Sequence, residues 1–327
     1  MARSGDDLPP SFTAPAEAIK YGSGDSYQID DGGALHARAP HPLPASSPSA
    51  NARAHRLPFY ATLRRTCAEV DRMFSALEAE YPQIRTFWKS GYVRSVMGMP
   101  SRSNAGEPRS FGYAKGKLVK VLEYRREALV PLTMDSMRPV DLEAGVSKWI
   151  YMKGFDQAAA AKGLRVPILY VHSSEIPWSS LDPERLVDIT VFWMKSAFEE
   201  FGCDQFSAVL YGPDLSMSIM WYASSYIKSL SSRFVQGFPD RLYSLYSCPT
   251  YRLNLALYEV AKLVLPTPVV NKLHMIGSGE EAAMAALTSL TGTDEVPTFY
   301  GGPSDHSEYR TLGLEAQMAL TFGETKE

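Results

Sequence analysis

The chain has 327 residues, 45% of them hydrophobic and 21% charged, with a formal net charge of −3. That length and balance support one large or two modest globular units with a real core, and the small charge argues against a nucleic-acid partner. Three cysteines, Cys67, Cys203 and Cys248, lie far apart and cannot all pair, a usage that fits a reducing compartment.

The opening Met1-Ala2-Arg3-Ser4-Gly5-Asp6-Asp7 has no apolar stretch of the signal-peptide kind. No segment reaches the roughly 18 consecutive apolar residues that span a bilayer. The expectation is a cytoplasmic protein whose membrane contact is peripheral and transient. Residues 1–56 are rich in Pro, Ser, Ala and Gly, as in His41-Pro42-Leu43-Pro44-Ala45-Ser46-Ser47-Pro48, and read as a disordered tail. Such a stretch buries too little apolar surface to offset its ordering entropy.

From Tyr60 to Tyr81, Leu63, Val70, Phe74 and Leu77 recur at helical spacing, and Pro82 ends the run. A second helical piece is expected over 83–98, a loop over 99–110, and an amphipathic helix over 113–129 carrying Leu118, Val121, Leu122 and Leu129. Residues 57–130 thus form a small helical N-terminal unit. Beyond it, β-branched and aromatic runs at 166–172, 206–212, 242–248 and 272–276 alternate with helical patterns at 182–201, 215–235, 251–265 and 280–291. Strands alternating with helices imply crossovers and an α/β fold, a mostly parallel, mixed sheet flanked by helices. Residues 304–327 are set apart as a C-terminal tail.

Catalytic and cofactor motifs are weak. Gly277-Ser278-Gly279-Glu280-Glu281-Ala282 matches a dinucleotide fingerprint in form, but no second strand with an acidic ribose partner follows it. Glu280 and Glu281 would also repel a pyrophosphate. No Gly-x-Ser-x-Gly elbow, P-loop or metal-ligand spacing occurs. His172 and His274 each sit in an apolar run and read as structural imidazoles; His306 lies in a polar loop beside Asp305. No catalytic residue, cofactor or metal is expected, and the protein reads as a non-enzyme.

The helix expected at 251–265 is apolar around most of its circumference. It is either fully buried core or a wall whose second apolar face closes over a ligand or touches a membrane. Lys272, inside the apolar run Val269-Val270-Asn271-Lys272-Leu273-His274, either snorkels to the surface or holds an anionic group.

Five pieces in order then carry a resemblance: Phe238-Pro239-Asp240-Arg241-Leu242-Tyr243; Cys248-Pro249; the apolar helix leading to Leu265-Pro266-Thr267-Pro268-Val269-Val270-Asn271-Lys272-Leu273; Ile276-Gly277; and Val296-Pro297-Thr298-Phe299-Tyr300-Gly301-Gly302. This succession resembles the CRAL-TRIO family of phosphatidylinositol- and phosphatidylcholine-transfer proteins. Phe111 to Glu127, ending Leu122-Glu123-Tyr124-Arg125-Arg126-Glu127, is similar to that family's N-terminal helix, so the likeness spans roughly residues 83–303.

The resemblance implies a lipid-binding domain over 131–303 that holds one phospholipid in an apolar pocket and exchanges it at membranes. By that resemblance Asp240 and Lys272 hold the headgroup, with Ser216 and Ser218 near a hydroxyl pair associated with phosphatidylcholine. Asp240 replaces a glutamate of the family pattern, and Val269 stands where phosphatidylinositol-binding members often have threonine. The acyl-chain pocket and gate would be built from Met220, Tyr243, Tyr246, Leu253, Leu257, Val260, Val264 and Leu273, with 251–265 swinging between Pro249 and Pro266/Pro268. The implied partners are a phospholipid and a membrane surface, and the protein is expected to be a monomer. A lipid- or hydrophobe-sensing regulator without net transfer, and a lipid esterase with an unrecognised site, are the alternatives.

Overall fold

A computed structural model describes residues 67–82, 84, 96, 110–212, 217–239, 241–250, 255, 258–259, 262, 270–277 and 279–323, and the backbone of two short strands, β1 (Tyr27–Ile29) and β2 (Leu35–Ala37). Those two strands pair antiparallel within the stretch read as a tail. Helix α1 (Cys67–Glu78) buries Met73 and Leu77, one turn apart on one face. Helix α2 (Phe111–Tyr124) starts where Ser110 Oγ accepts from the Tyr113 amide and buries Ala114, Leu118, Val121 and Leu122. It runs on as a π-helical turn, Arg125–Leu129, from which Arg125 grips Glu199 through two hydrogen bonds of 2.7 and 3.0 Å. Helix α3 (Met134–Ala144) opens on a Thr133/Ser136 capping box and stops at Gly145, whose φ of 64° closes the C-terminus.

Five strands then form one sheet in the order β3-β4-β5-β6-β7: β3 (Ile150–Phe155), β4 (Pro167–His172), β5 (Phe206–Tyr211), β6 (Leu242–Ser247) and β7 (Leu273–Met275). The last four run parallel; β3 is antiparallel to β4. The α/β class expected from the sequence therefore holds. Strand β3 and helix α3 are additions to the expected elements. Register assigns the faces. Phe206 stacks on Phe234 at 5.3 Å and meets Phe198 at 6.3 Å, so Phe206, Ala208 and Leu210 face α5 (Pro183–Glu199) and α6 (Met217–Gly237). The opposite face carries Tyr151, Tyr170, His172, Ser207, Tyr211 and Ser244. Over it lie α4 (Gln157–Ala160), the packed α7 (Glu280–Thr291) and the turn around Phe299.

Residues 304–322, expected to be a tail, fold as α8 (Ser307–Thr311) and α9 (Leu314–Phe322). Tyr309, Leu314, Gln317 and Met318 are buried, and Tyr309 Oη donates to the Met152 carbonyl at 2.6 Å. Phe322 stacks on Phe201 at 4.3 Å. The Tyr300-Gly301-Gly302 turn has a steric cause: a Cβ on Gly302 would lie 2.1 Å from the Val296 carbonyl oxygen, and Gly301 has φ 84°.

Candidate functional site

The expected site divides into residues the structure places and residues beyond its description. Asp240, Ser216, Leu253, Leu257, Val260 and Val264 lie outside the described residues, as do the side chains of Ser218 and Met220. Of the expected helix 251–265, positions 255, 258, 259 and 262 are described, and all are helical. Tyr258 is buried there, with Lys262 over its ring at 4.9 Å and paired to Glu259 at 2.6 Å.

At the β6–β7 pair the register is Leu245↔Leu273, Tyr246↔His274, Ser247↔Met275. Leu273 therefore shares the α5/α6 face with Leu245 and Leu210, all three half-buried, although each sits within a strand of the central sheet. By contrast Val209, on the other face of β5, is fully buried. Tyr246 points the opposite way from Leu273 and stacks on His274 at 4.7 Å, with rings 20° apart. Tyr246 and Leu273, grouped in the sequence reading as one pocket wall, line opposite faces of the sheet. A period of two allows no other outcome for paired residues one position out of step. Tyr243, at the register shift opposite Phe206/Ser207, packs on Ala159, Leu164 and Val166 and accepts from Lys162 Nζ at 2.9 Å.

Lys272 precedes β7, and its ammonium donates to the Leu242 carbonyl at the entry to β6. The structure thus brings Lys272 to the chain two residues beyond Asp240. Arg241, beside it, is buried, donates to the Asp204 carbonyl at 2.5 Å and lies over Phe198 at 4.9 Å. A lysine and an arginine therefore crowd one end of the sheet, next to the half-buried apolar strip.

The face away from α5 and α6 is unusually polar for a buried sheet. Ser207 Oγ donates to Asp156 Oδ2 at 2.7 Å and lies 2.8 Å from Ser244 Oγ, while Asp156 also caps α4 through the Ala159 amide at 2.9 Å. Burial raises the Asp156 pKa, opposed by the hydrogen bonds from Ser207 and the α4 amides. Burial likewise lifts the Tyr246 phenol to about 12.

Higher on that face, Tyr151 Oη sits 3.0 Å from His172 Nε2 and 3.0 Å from His306 Nδ1. His172 Nδ1 reaches Glu175 at 3.1 Å, and Arg310 pairs with Glu175. His172 is hydrogen-bonded on both nitrogens, as its structural reading required. His306 does lie in the loop that leads into α8, beside Asp305, but it is buried there, at 1% exposure. Sequence reasoning missed Tyr151 and the burial of His306. The spacing Leu314, Gln317, Met318, Thr321 was a legible signal that α9 docks and buries what precedes it. Among the described residues no group of three or more His, Cys, Asp or Glu gathers to hold a metal.

This five-stranded α/β architecture has a match among protein families. Residues 151–302 match the model of the CRAL/TRIO domain. A solved structure titled "Crystal structure of Sfh5" is similar over 61% of this chain and 77% of that chain, at 13% identity and a TM-score of 0.44. No curated protein matches the chain.

Proposed function

We propose that this protein holds a single phospholipid, phosphatidylinositol or phosphatidylcholine, between the α5/α6 face of the sheet and residues 251–265, and exchanges it at membranes without catalysing a reaction. The observation that carries the reading is the half-buried strip Leu210, Leu245 and Leu273 inside a CRAL/TRIO domain. Apolar side chains at the centre of a sheet are left partly uncovered when something other than protein is meant to cover them. A lipid's acyl chains supply that cover, each methylene contributing about 0.8 kcal/mol on leaving water. A right-handed β6–β7 connection, the usual hand for a parallel crossover, would lead over the face that already carries α5 and α6.

Lys272 supports an anionic headgroup at the mouth, since an ammonium at the strand entry matches a phosphate charge. Membrane contact is supported by α6, which contains no Asp or Glu and exposes Trp221 at 77% together with Tyr222. Trp and Tyr favour the headgroup level of a bilayer. Among the described residues no helix is long and apolar enough to cross a membrane.

The test is the ligand itself. The purified full chain is extracted with organic solvent and the extract analysed by lipid mass spectrometry. One phospholipid per chain is the expected result; a chain free of lipid that also takes none from phosphatidylinositol or phosphatidylcholine vesicles overturns the reading.

A further inference from the structure

The polar network that lipid binding leaves unused runs Glu175–His172–Tyr151–His306, with Tyr151 and both histidines buried and Glu175 exposed at its outer end. Its proton order follows from valence. Arg310 pairs with Glu175, and its guanidinium together with His172 outweighs burial to hold that carboxyl below its ordinary pKa, so Glu175 accepts. His172 Nδ1 must then carry the proton it gives to Glu175. Neutral His172 is left with a bare Nε2, which accepts the Tyr151 hydroxyl proton. The hydroxyl oxygen in turn accepts from His306 Nδ1–H. His306 Nε2 ends the chain as a buried lone pair with no hydrogen-bond partner among the described residues.

A proton on either ring breaks this order. On His172 it puts an N–H against the Tyr151 O–H, which loses its acceptor. On His306 it places an N–H among the rings of Tyr170, 4.9 Å away, and Phe299, 5.7 Å away, where no carboxylate waits. The charges facing the pair are mostly hostile: Lys153 from β3 and Arg310 from α8 oppose a cation on His306, and only Asp305, on its own segment, favours one. For His172 the opposing charge is again Arg310 and the favouring one Glu175. Both imidazoles are accordingly held neutral, His172 down to about 4 and His306 to about 3, with burial the largest cause.

The network also bridges two parts of the molecule. His306 enters the α8–α9 segment that docks on β3. Phe299, 4.7 Å from His172, adjoins Tyr300, whose hydroxyl donates to the Cys248 carbonyl at 2.5 Å. Two residues beyond Cys248, past Pro249, the Thr250 amide is tied to the Ile276 carbonyl at 2.6 Å. We propose that Glu175, His172, Tyr151 and His306 form an acid-released latch, which holds residues 296–322 on the sheet and, through Tyr300, the Cys248–Thr250 connection into residues 251–269. The role of that connection as a hinge for lipid exchange rests on the function proposed above; the latch does not.

The sign follows from neutral native imidazoles. A histidine with a lowered native pKa stabilises the closed form above the ordinary histidine pKa of about 6.5 and loses that contribution as pH falls below it. At pH 5 each imidazole favours opening by about 30-fold relative to pH 8. The experiment is hydrogen exchange of the full chain from pH 8 to pH 5, read as protection factors. Residues 304–322 and the Thr250 amide are expected to lose protection together, by about 30-fold or more, while α5 holds. A flat profile for 304–322, or a loss shared equally by α5, overturns the latch; an unmoved Thr250 overturns its link to Cys248. His306→Asn keeps a donor for Tyr151 and does not titrate, so its profile should lose about 30-fold of the pH response. Independently of any variant, nitrogen NMR of the wild-type imidazoles should find both rings neutral and Nδ1-protonated at pH 5.5. A ring titrating near 6.5 in the folded protein overturns the proposal.

Discussion

The half-buried leucine strip makes Leu245→Trp a sharp probe of the proposed pocket. If the α5/α6 face at β6 were ordinary filled core, an indole in place of an isobutyl group would overpack it, at about 1–3 kcal/mol. For a domain of this size that is a fall in Tm of roughly 2–4 °C for each kcal/mol. Val209→Trp supplies the reference, because Val209 is fully buried on the other face of β5, a strand that pairs directly with β6. Leu245 is only half-buried, so an indole there has somewhere to go without strain. It would instead occupy the space of about four acyl methylenes, a loss of about 3 kcal/mol in lipid affinity, or more than 100-fold. Thermal unfolding and the lipid content of the purified protein are measured on both variants. The expected result is a Tm within about 2 °C of wild type and a depleted lipid for Leu245→Trp, against a large Tm loss for Val209→Trp. A Leu245→Trp protein that melts like Val209→Trp, or that retains one lipid per chain, refutes the argument.

Other expectations come from single contacts. Lys272→Ala removes the ammonium that donates to the Leu242 carbonyl, and vesicle-to-vesicle exchange of phosphatidylinositol should drop at least about 10-fold; undiminished exchange rejects the headgroup role. Asp156→Ala strips a helix cap and leaves the Ser207–Ser244 pair short of an acceptor, which should cost about 1–3 kcal/mol in urea unfolding. Asp156→Asn, which keeps the cap and can donate back to Ser207, should cost less at pH 7 than Ala does. The native pKa of Asp156 is raised, so its carboxylate weakens the fold above the unfolded-state pKa and stops doing so as pH falls through the native value; the Asn variant should flatten that acidic branch of the stability curve. Gly302→Ala would drive a Cβ into the Val296 carbonyl and should lower stability by at least about 2 kcal/mol, visible as a shifted denaturation midpoint with unchanged slope.

Strands β4, β5 and β6 were legible because a parallel strand covered on both sides must be apolar nearly throughout, and Pro-Ile-Leu-Tyr-Val-His and Phe-Ser-Ala-Val-Leu-Tyr are such runs. α2 was legible from its spacing and α5 from its length and its Asp182 cap. β3 was not: Ile-Tyr-Met-Lys-Gly-Phe holds Lys153 and Gly154, the latter at φ 71°, and its register with β4 shifts between Met152 and Phe155. An antiparallel edge strand with a bulge carries no continuous apolar signal.

The candidate site divides in the same way. Sequence alone offered candidates for a lipid site: an ordered set of motifs, and Lys272 among apolar neighbours. Which of them share a surface was decided only in the folded molecule. Tyr246 and Leu273 parted because side chains alternate along strands, and register, a long-range property, sets which position meets which. His306 was buried by α8 and α9 closing over β3, and Tyr151 became its partner across 155 residues of chain. Local patterns encode propensity and periodicity; pairing between distant segments is set by the packing of the whole core.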